Sequence, residues 1–316
     1  MPMIDPRRLL TFREVARHHS FSRAAEALNL SQPAVSQQVA ALESELGTRL
    51  LERGPGGGSP TAAGELLLEH ADAIAERLSL ATAQLGELVS EERGMLRVGA
   101  FPSALATIVP AAITALRNRD GGLKVEIAEG PQVDLQAAVR DGRLHASLAF
   151  QDTAIERREH PALRRHDLFT EPFVALVPPR HRLARRSWVR LADLADDAWT
   201  MPTREGILMR ACNLAGFTPR VEAIAIDPLA VRALVADGLA VTLTPELLAP
   251  QMHGVATVAL KDSPLRDVYA LTPTTGIAPA ARHLLEVLRT SAGTPRRRPS
   301  SRHTPRRASS GPAAPA

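Results

Sequence analysis

Residues 21 to 64 leave this chain little choice of local fold. Apolar residues recur there at helical spacing, and cap and turn residues punctuate them every ten to fifteen positions. The most telling stripe is Val35, Val39, Leu42 and Leu46, spaced 4, 3 and 4, which predicts one buried helix face. Ser31 stands at the N-cap of that helix and Pro33 in its first turn, where a missing N–H costs nothing. Upstream, Leu9, Leu10, Phe12, Val15 and Ala16 predict a first helix entered at Pro6. Ser22 is expected to cap a short second helix, Arg23 to Leu28, with Asn29 making the turn.

The stripe also says what it leaves free. Gln32, Ser36 and Gln37 lie off it, near the helix N-terminus. In a helix-turn-helix the N-terminal residues of the second helix of the motif reach base edges. Gln can read adenine through two hydrogen bonds, and Ser can serve several bases. Leu46-Gly47 ends the helix, and Gly54-Pro-Gly-Gly-Gly-Ser-Pro60 reads as the tip of a hairpin wing. That glycine run is not a phosphate-binding loop, because no Lys-Ser/Thr follows it at the required spacing. On periodicity alone, a small helical bundle with a solvated Gln/Ser face fits as well.

Thr61 is placed to cap a long helix running to about Glu92. Within it Ala71, Ile74, Leu78, Ala81, Leu85 and Leu88 follow a 3-4-3-4-3 rhythm. So narrow a seam suits one partner helix, and hence a dimer, better than a wide core. The alternative is an internal helix of the chain's own domain. Beyond Gly94 the pattern changes to strands and helices in turn. Strands are expected at Leu96–Ala100, Lys124–Ala128, Ala146–Phe150, Phe173–Val177, Val221–Ile226, Ala240–Leu243 and Asp267–Leu271. Helices are expected at Leu105–Arg117, Val133–Asp141, Gly206–Ala215, Pro228–Asp237 and Ala278–Arg289. That alternation implies parallel sheets and an α/β fold class.

Composition narrows the function without naming it. The formal charge is +4, but the 26 residues from Ser291 carry six arginines and no acid; removing them takes the remaining body from +4 to −2. A basic pI is therefore no argument for nucleic acid here, and the Pro/Arg/Ser-rich tail (291–316) is expected to be disordered. Non-specific attraction to DNA and an unselected extension account for that tail equally. Cys212 is the only cysteine, which excludes an intrachain disulfide and a Cys-based metal cluster. No run reaches about 18 apolar residues, and the N-terminus lacks an apolar signal core, so a cytoplasmic location is expected. No Gly-x-Ser-x-Gly elbow occurs, and His70, His160, His166, His181 and His253 are scattered, so an enzyme, a metal site or a cofactor is not expected. A secreted solute-binding protein would account for residues 94–290 but not for the first sixty.

One run carries more than its periodicity. Phe21-Ser-x-Ala-Ala-x-x-Leu28-x-x-Ser31-Gln-Pro-Ala-Val-Ser-Gln37, continued by Leu42-Glu-x-x-Leu46-Gly47-x-x-Leu50-Leu-x-Arg53 and Thr61-x-x-Gly64, resembles the signature of LysR-type transcriptional regulators. Leu96-Arg-Val-Gly-Ala-x-Pro102, Glu171-Pro-Phe-Val-Ala-Leu-Val-Pro-Pro-Arg-His181 and Val235-x-x-Gly238-Leu-Ala-Val241 extend the resemblance through the body. It implies a winged helix-turn-helix over residues 1–60, a linker and dimerisation helix over 61–92, and a two-lobed, doubly wound effector domain over 93–290. Lobe 1 would span about 94–168 and 268–290, and lobe 2 about 169–267. Operator DNA, a small effector and a homodimer or homotetramer are the partners implied.

At matching positions Gln32, Pro33, Ser36 and Gln37 would approach DNA, with Ser22, Ser31 and Arg53 beside them on the DNA face. Ligands of such folds lie at the C-terminal ends of strands. Those ends give Ser103, Ala104, Gln132, Phe150 and Gln151 in lobe 1, and Thr200, Pro202, Thr203, Arg204, Asp227 and Thr244 in lobe 2. Ser103 at a helix start, with free N–H groups behind it and Arg204 opposite, would suit a carboxylate. Two departures stand out. Many members carry Arg where Gln37 stands and a basic wing where this tip is uncharged, and His145 occupies a position usually held by Asp.

Overall fold

A computed structural model describes residues 4–52, 58–89, 94–157 and 159–291. Arg53, the wing tip, the end of the linker segment and the tail lie outside the described residues, as does the side chain of Leu88.

The first three helices are α1 (Pro6–His18), α2 (Phe21–Leu28) and α3 (Gln32–Leu46). Each starts on a side-chain cap, from Asp5, Ser20 and Ser31 respectively. The cap of α2 is therefore Ser20, not Ser22. Ser20 has extended backbone and its Oγ accepts from Arg23 N at 3.3 Å, so the helix gains residues at its start and Ser22 falls in its first turn. His19, Asn29 and Gly47 end the three helices in left-handed conformations. Phe12, Val15, Val35, Val39, Leu42, Leu50 and Leu51 close the core beneath them. Leu51 bridges antiparallel to Pro60, which makes the base of a hairpin. Gly58 on that hairpin is obligatory: a Cβ there would lie 2.5 Å from the His19 carbonyl carbon.

The long helix α4 (Ala62–Val89) is capped by Thr61, whose Oγ1 accepts from Gly64 N at 3.1 Å. Asp72 on α4 pairs with Arg13 at 2.6 Å and Arg17 at 2.8 Å, which holds α4 to α1.

The body opens with β1 (Met95–Ala100), α5 (Pro102–Leu105), α6 (Ile108–Arg119), β2 (Lys124–Glu129), α7 (Gln132–Arg140) and β3 (Ala146–Asp152). β1 lies parallel between β2 and β3, as the alternation predicts. The single helix expected from Leu105 is two. Pro110 has no N–H to give to a carbonyl one turn back, so a helix restarts at Ile108 after a break at Thr107.

β4 (Leu163–Val177) is fifteen residues long, of which only the last five are legible as an apolar strand. Its first half, rich in Arg, His and Asp, lies antiparallel to the later β10, and its second half pairs elsewhere. After it come β5 (Trp188–Val189), β6 (Ala198–Met201), α8 (Ile207–Leu214), β7 (Arg220–Ile224), α9 (Pro228–Ala236), β8 (Thr242–Pro245), β9 (Ala256–Leu260), β10 (Leu265–Pro273) and α10 (Pro279–Ser291). β5, β6 and β9 are strands that the sequence pattern does not announce.

β10 bridges β3 and β4, giving the order β2-β1-β3-β10-β4 on one side. On the other side β4 carries β8 and β9, and β6, paired parallel to β7, bridges from Trp199 to Val241 at the entry to β8. Two apolar cores result. One packs α6 and α10 on β1, β3 and β10; the other surrounds fully buried Trp199, whose Nε1 donates to Leu194 O at 3.1 Å. β4 thus runs from its pairing with β10 on one side into its pairing with β8 and β9 on the other. Among the described residues no helix is long and apolar enough to cross a membrane.

Candidate functional site

The head presents the expected polar face. Gln32, Pro33 and Gln37 are exposed and Ser36 is half-buried. Ser31 is exposed and occupied as a cap, its Oγ accepting from Ala34 N at 3.4 Å. Ser22 is exposed beside them. The neighbouring Gln38 turns inward, where its Oε1 accepts from Thr11 Oγ1 at 2.5 Å. Only one of two adjacent glutamines is therefore left for a partner. Arg53 lies outside the described residues.

On α4 the seam divides. Ala71 is fully buried within its own chain and so is not free for a second helix. Ile74, Leu78, Ala81 and Leu85 are exposed. The opposite side of α4 holds buried Glu76, which pairs with Arg140 of α7 at 3.3 Å; Arg77 donates to Thr275 Oγ1 at 2.5 Å. The linker helix is thereby fastened to the first lobe. His145 is also accounted for: its Nδ1 accepts from Arg97 N at 3.1 Å, so it pins β1 at the start of β3.

A cavity of about 200 Å³ lies between the lobes. Of the residues expected at the strand ends, Ser103, Phe150, Pro202 and Thr244 line it. Ala104, Gln132, Gln151, Thr200, Thr203, Arg204 and Asp227 do not, for separate reasons. Ala104 is packed in the lobe 1 core. Gln132 Oε1 accepts from Phe150 N at 2.7 Å. Gln151 is held by the carbonyls of Ile155 and Glu156 and by Arg165. Thr200 is fully buried, and its Oγ1 has no hydrogen-bond partner among the described residues. Thr203 Oγ1 accepts from Glu205 N at 3.2 Å, and Arg204 reaches Val221 O at 3.4 Å. Asp227 caps α9 through Ala230 N at 2.8 Å.

The centre of the cavity is a group that strand-end reasoning misses. Arg266, 4% exposed, donates from Nε and Nη2 to Glu171 Oε1 at 2.9 and 2.7 Å. Its Nη2 also donates to Ser103 Oγ at 3.0 Å. Glu171 Oε2 accepts from Leu247 N at 2.9 Å, so both carboxylate oxygens are engaged. The guanidinium lies 5.1, 5.0 and 5.7 Å from the ring centres of Phe101, Phe150 and Phe173. Burial pulls its pKa down from the ordinary arginine value, against the carboxylate of Glu171, which raises it. Glu171 and Arg266 face each other across β4 and β10. Only the pairing of two strands some 95 positions apart would have revealed them.

Strand-end reasoning also omits Phe101, Phe173, Met201, Ile207 and Ile226, all of which line the cavity. Among the described residues no group of three His, Cys, Asp or Glu side chains is placed to hold a metal.

Comparison with known proteins follows this division. Residues 6–65 match the bacterial regulatory helix-turn-helix protein of the lysR family, and residues 90–293 match the LysR substrate binding domain. The chain is 34% identical over 294 residues to the SDS degradation transcriptional activation protein of a Pseudomonas species, covering 88% of this chain and 94% of that protein. It is 32% identical over 255 residues to the transcriptional dual regulator GltC of Bacillus subtilis, covering 77% and 81%. Among solved structures, a full-length OxyR variant from Pseudomonas aeruginosa superposes with a TM-score of 0.57 at 24% identity, covering 92% and 95%. CbnR complexed with its target DNA gives 0.54 at 24% identity, covering 91% and 99%. A helix-turn-helix on a capped three-helix head, a long linker helix and two lobes around a cavity, matched along their length by both family models, therefore place this chain in the LysR family of transcriptional regulators, oligomeric DNA-binding proteins that answer to a small-molecule effector.

Proposed function

We propose that this regulator reads its operator through the first turns of α3, with Gln32 and Gln37 on base edges and Pro33 and Ser36 packed beside them. Ser22, Ser31 and Arg53 belong to the same DNA face. The observation that carries this reading is the outward set of Gln32 and Gln37 on a helix whose inner face is fully used by the head core. An uncharged reading turn gives specificity more than raw attraction. The test uses an operator selected from random DNA. Gln32→Ala with Gln37→Ala should weaken operator binding about tenfold or more, since a good bidentate pair discriminates by roughly 1–3 kcal/mol. Binding to unrelated DNA should stay level; equal losses on both DNAs would count against the reading.

Two heads are brought to two half-sites by pairing of α4 through Ile74, Leu78, Ala81, Leu85 and Leu88, with Ala71 buried within its own chain. Leu78→Asp with Leu85→Asp should give monomers in sedimentation and lose operator binding. The units that act are the head (1–60), the linker helix (61–92) and the effector domain (93–290), whose lobes are about 94–168 with 268–290 and about 169–267. The effector sits between the lobes, touching Ser103, Phe150, Pro202 and Thr244, and changes the angle between them. The Arg140–Glu76 and Arg77–Thr275 contacts pass that change to α4 and so to head spacing. An effector can do this only by binding the two arrangements with different affinity. Operator footprints should differ with and without a saturating effector. The protein works in the cytoplasm, where its DNA is, and acts by binding rather than by catalysis.

A further inference from the structure

We propose that the inter-lobe cavity takes a small, largely apolar molecule whose polar end is an uncharged hydrogen-bond acceptor such as a ketone carbonyl, and not a carboxylate. This rests on the cavity being the effector site. The wall is apolar almost throughout, with Phe101, Phe150, Phe173, Met201, Ile207 and Leu243 among its residues. Its volume, about 200 Å³, is below the roughly 300–1,000 Å³ of drug-sized pockets, which limits the guest to one ring or a medium chain.

Arg266 is the charged residue of the lining, and its charge is already matched. Glu171 meets it through two hydrogen bonds and spends its other oxygen on Leu247 N. A neutral guest leaves that buried pair balanced. An anionic guest would leave a net negative charge beside Glu171 in an apolar enclosure, and a carboxylate taken out of water is costly unless a cation is free to meet it. Two amides of the turn that carries Ser103 are also engaged. Ala104 N and Leu105 N both donate to Phe101 O, at 3.0 and 3.1 Å, and Pro102 has no N–H.

What remains suits one acceptor. Ser103 Oγ accepts from Arg266, which leaves the hydroxyl hydrogen to give. Arg266 uses Nε and Nη2, while its Nη1 makes no hydrogen bond among the described residues. A carbonyl oxygen placed between Ser103 Oγ and Arg266 Nη1 satisfies both, and the three phenylalanines then hold the apolar remainder.

Matched probes separate charge from shape: acetophenone against benzoate, and 2-heptanone against hexanoate, titrated calorimetrically into the full chain at about pH 7.5, where the acids are ionised. The ketones should bind at least about ten times tighter than the carboxylates. Ser103→Ala should weaken the ketones about tenfold, the scale of one hydrogen bond, while leaving any carboxylate binding level. Ile226→Trp, at an exposed position on the cavity wall, should abolish binding without disturbing either core. Carboxylates binding tighter than ketones and blocked by Ile226→Trp would overturn the ligand class while leaving the cavity as effector site. Binding that Ile226→Trp does not touch would overturn both. Absence of ketone binding at millimolar concentration would also overturn the class.

Discussion

The head and the inter-lobe cavity both depend on polar groups close to a packed core, but they recruit them from different distances. In the head each cap contact is short-range: Ser20 reaches Arg23, Ser31 reaches Ala34 and Thr61 reaches Gly64, all three residues on. In the cavity Arg266 joins Glu171 and Ser103, separated from it by 95 and 163 positions. Local contacts form with their own helix and can be lost singly at small cost. The cavity cluster exists only when both lobes are complete, so removing one member strands the others.

That contrast sets an order of expected effects. The largest belongs to Glu171→Leu, which leaves the Arg266 guanidinium buried without its counter-charge and should destabilise by about 3–5 kcal/mol in denaturant titration. Glu171→Leu with Arg266→Met should recover most of the loss, because no unpaired charge remains. A single variant no worse than a cap deletion would break the contrast. Next comes the cap. Ser20→Ala should cost about 1 kcal/mol and Ser22→Ala close to nothing, which separates the observed cap from the residue two positions on. A smaller effect of opposite sign is expected from Thr200→Val. Its hydroxyl is buried without a partner among the described residues, and replacing it by a methyl group of similar volume should raise stability by up to about 1 kcal/mol.

The last expectation concerns reactivity. Burial pushes the Cys212 thiol up to about 12. Far too little thiolate then exists near neutral pH for fast alkylation. Thiol reagents should label Cys212 only as fast as the second lobe opens, and rapidly once denaturant is added. Rapid labelling of the folded chain would show that the second core is looser than the first.

Much of this molecule is legible from its residues, unevenly so. The head reads well because a helix period of 3.6 and a cap three residues away are properties of one short window. Even there Ser20 and Ser22 are equally good caps on paper, and the backbone of Ser20 decides between them. In the body, β1 and β3 show as apolar runs because they are buried along most of their length, whereas β2, an exposed edge strand, shows only by its alternation. The first half of β4 does not, since its Arg164, Arg165, His166 and Asp167 answer to neighbours on β10 and α10 rather than to a simple alternation. Of the strand-end residues, Ser103, Phe150, Pro202 and Thr244 line the cavity. Asp227 and Thr203 lie off it and satisfy backbone N–H groups of their own turns.

By itself the sequence determined the helical head and its outward Gln32 and Gln37, the long linker helix, and the α/β alternation of the body. Each follows from spacing within a short window of chain. The tertiary structure alone decided that Ala71 serves its own chain, that Glu76 fastens α4 to α7, and that the cavity centres on a neutralised Arg266. Those facts depend on which distant strands become neighbours, and a strand or helix period carries no record of that choice.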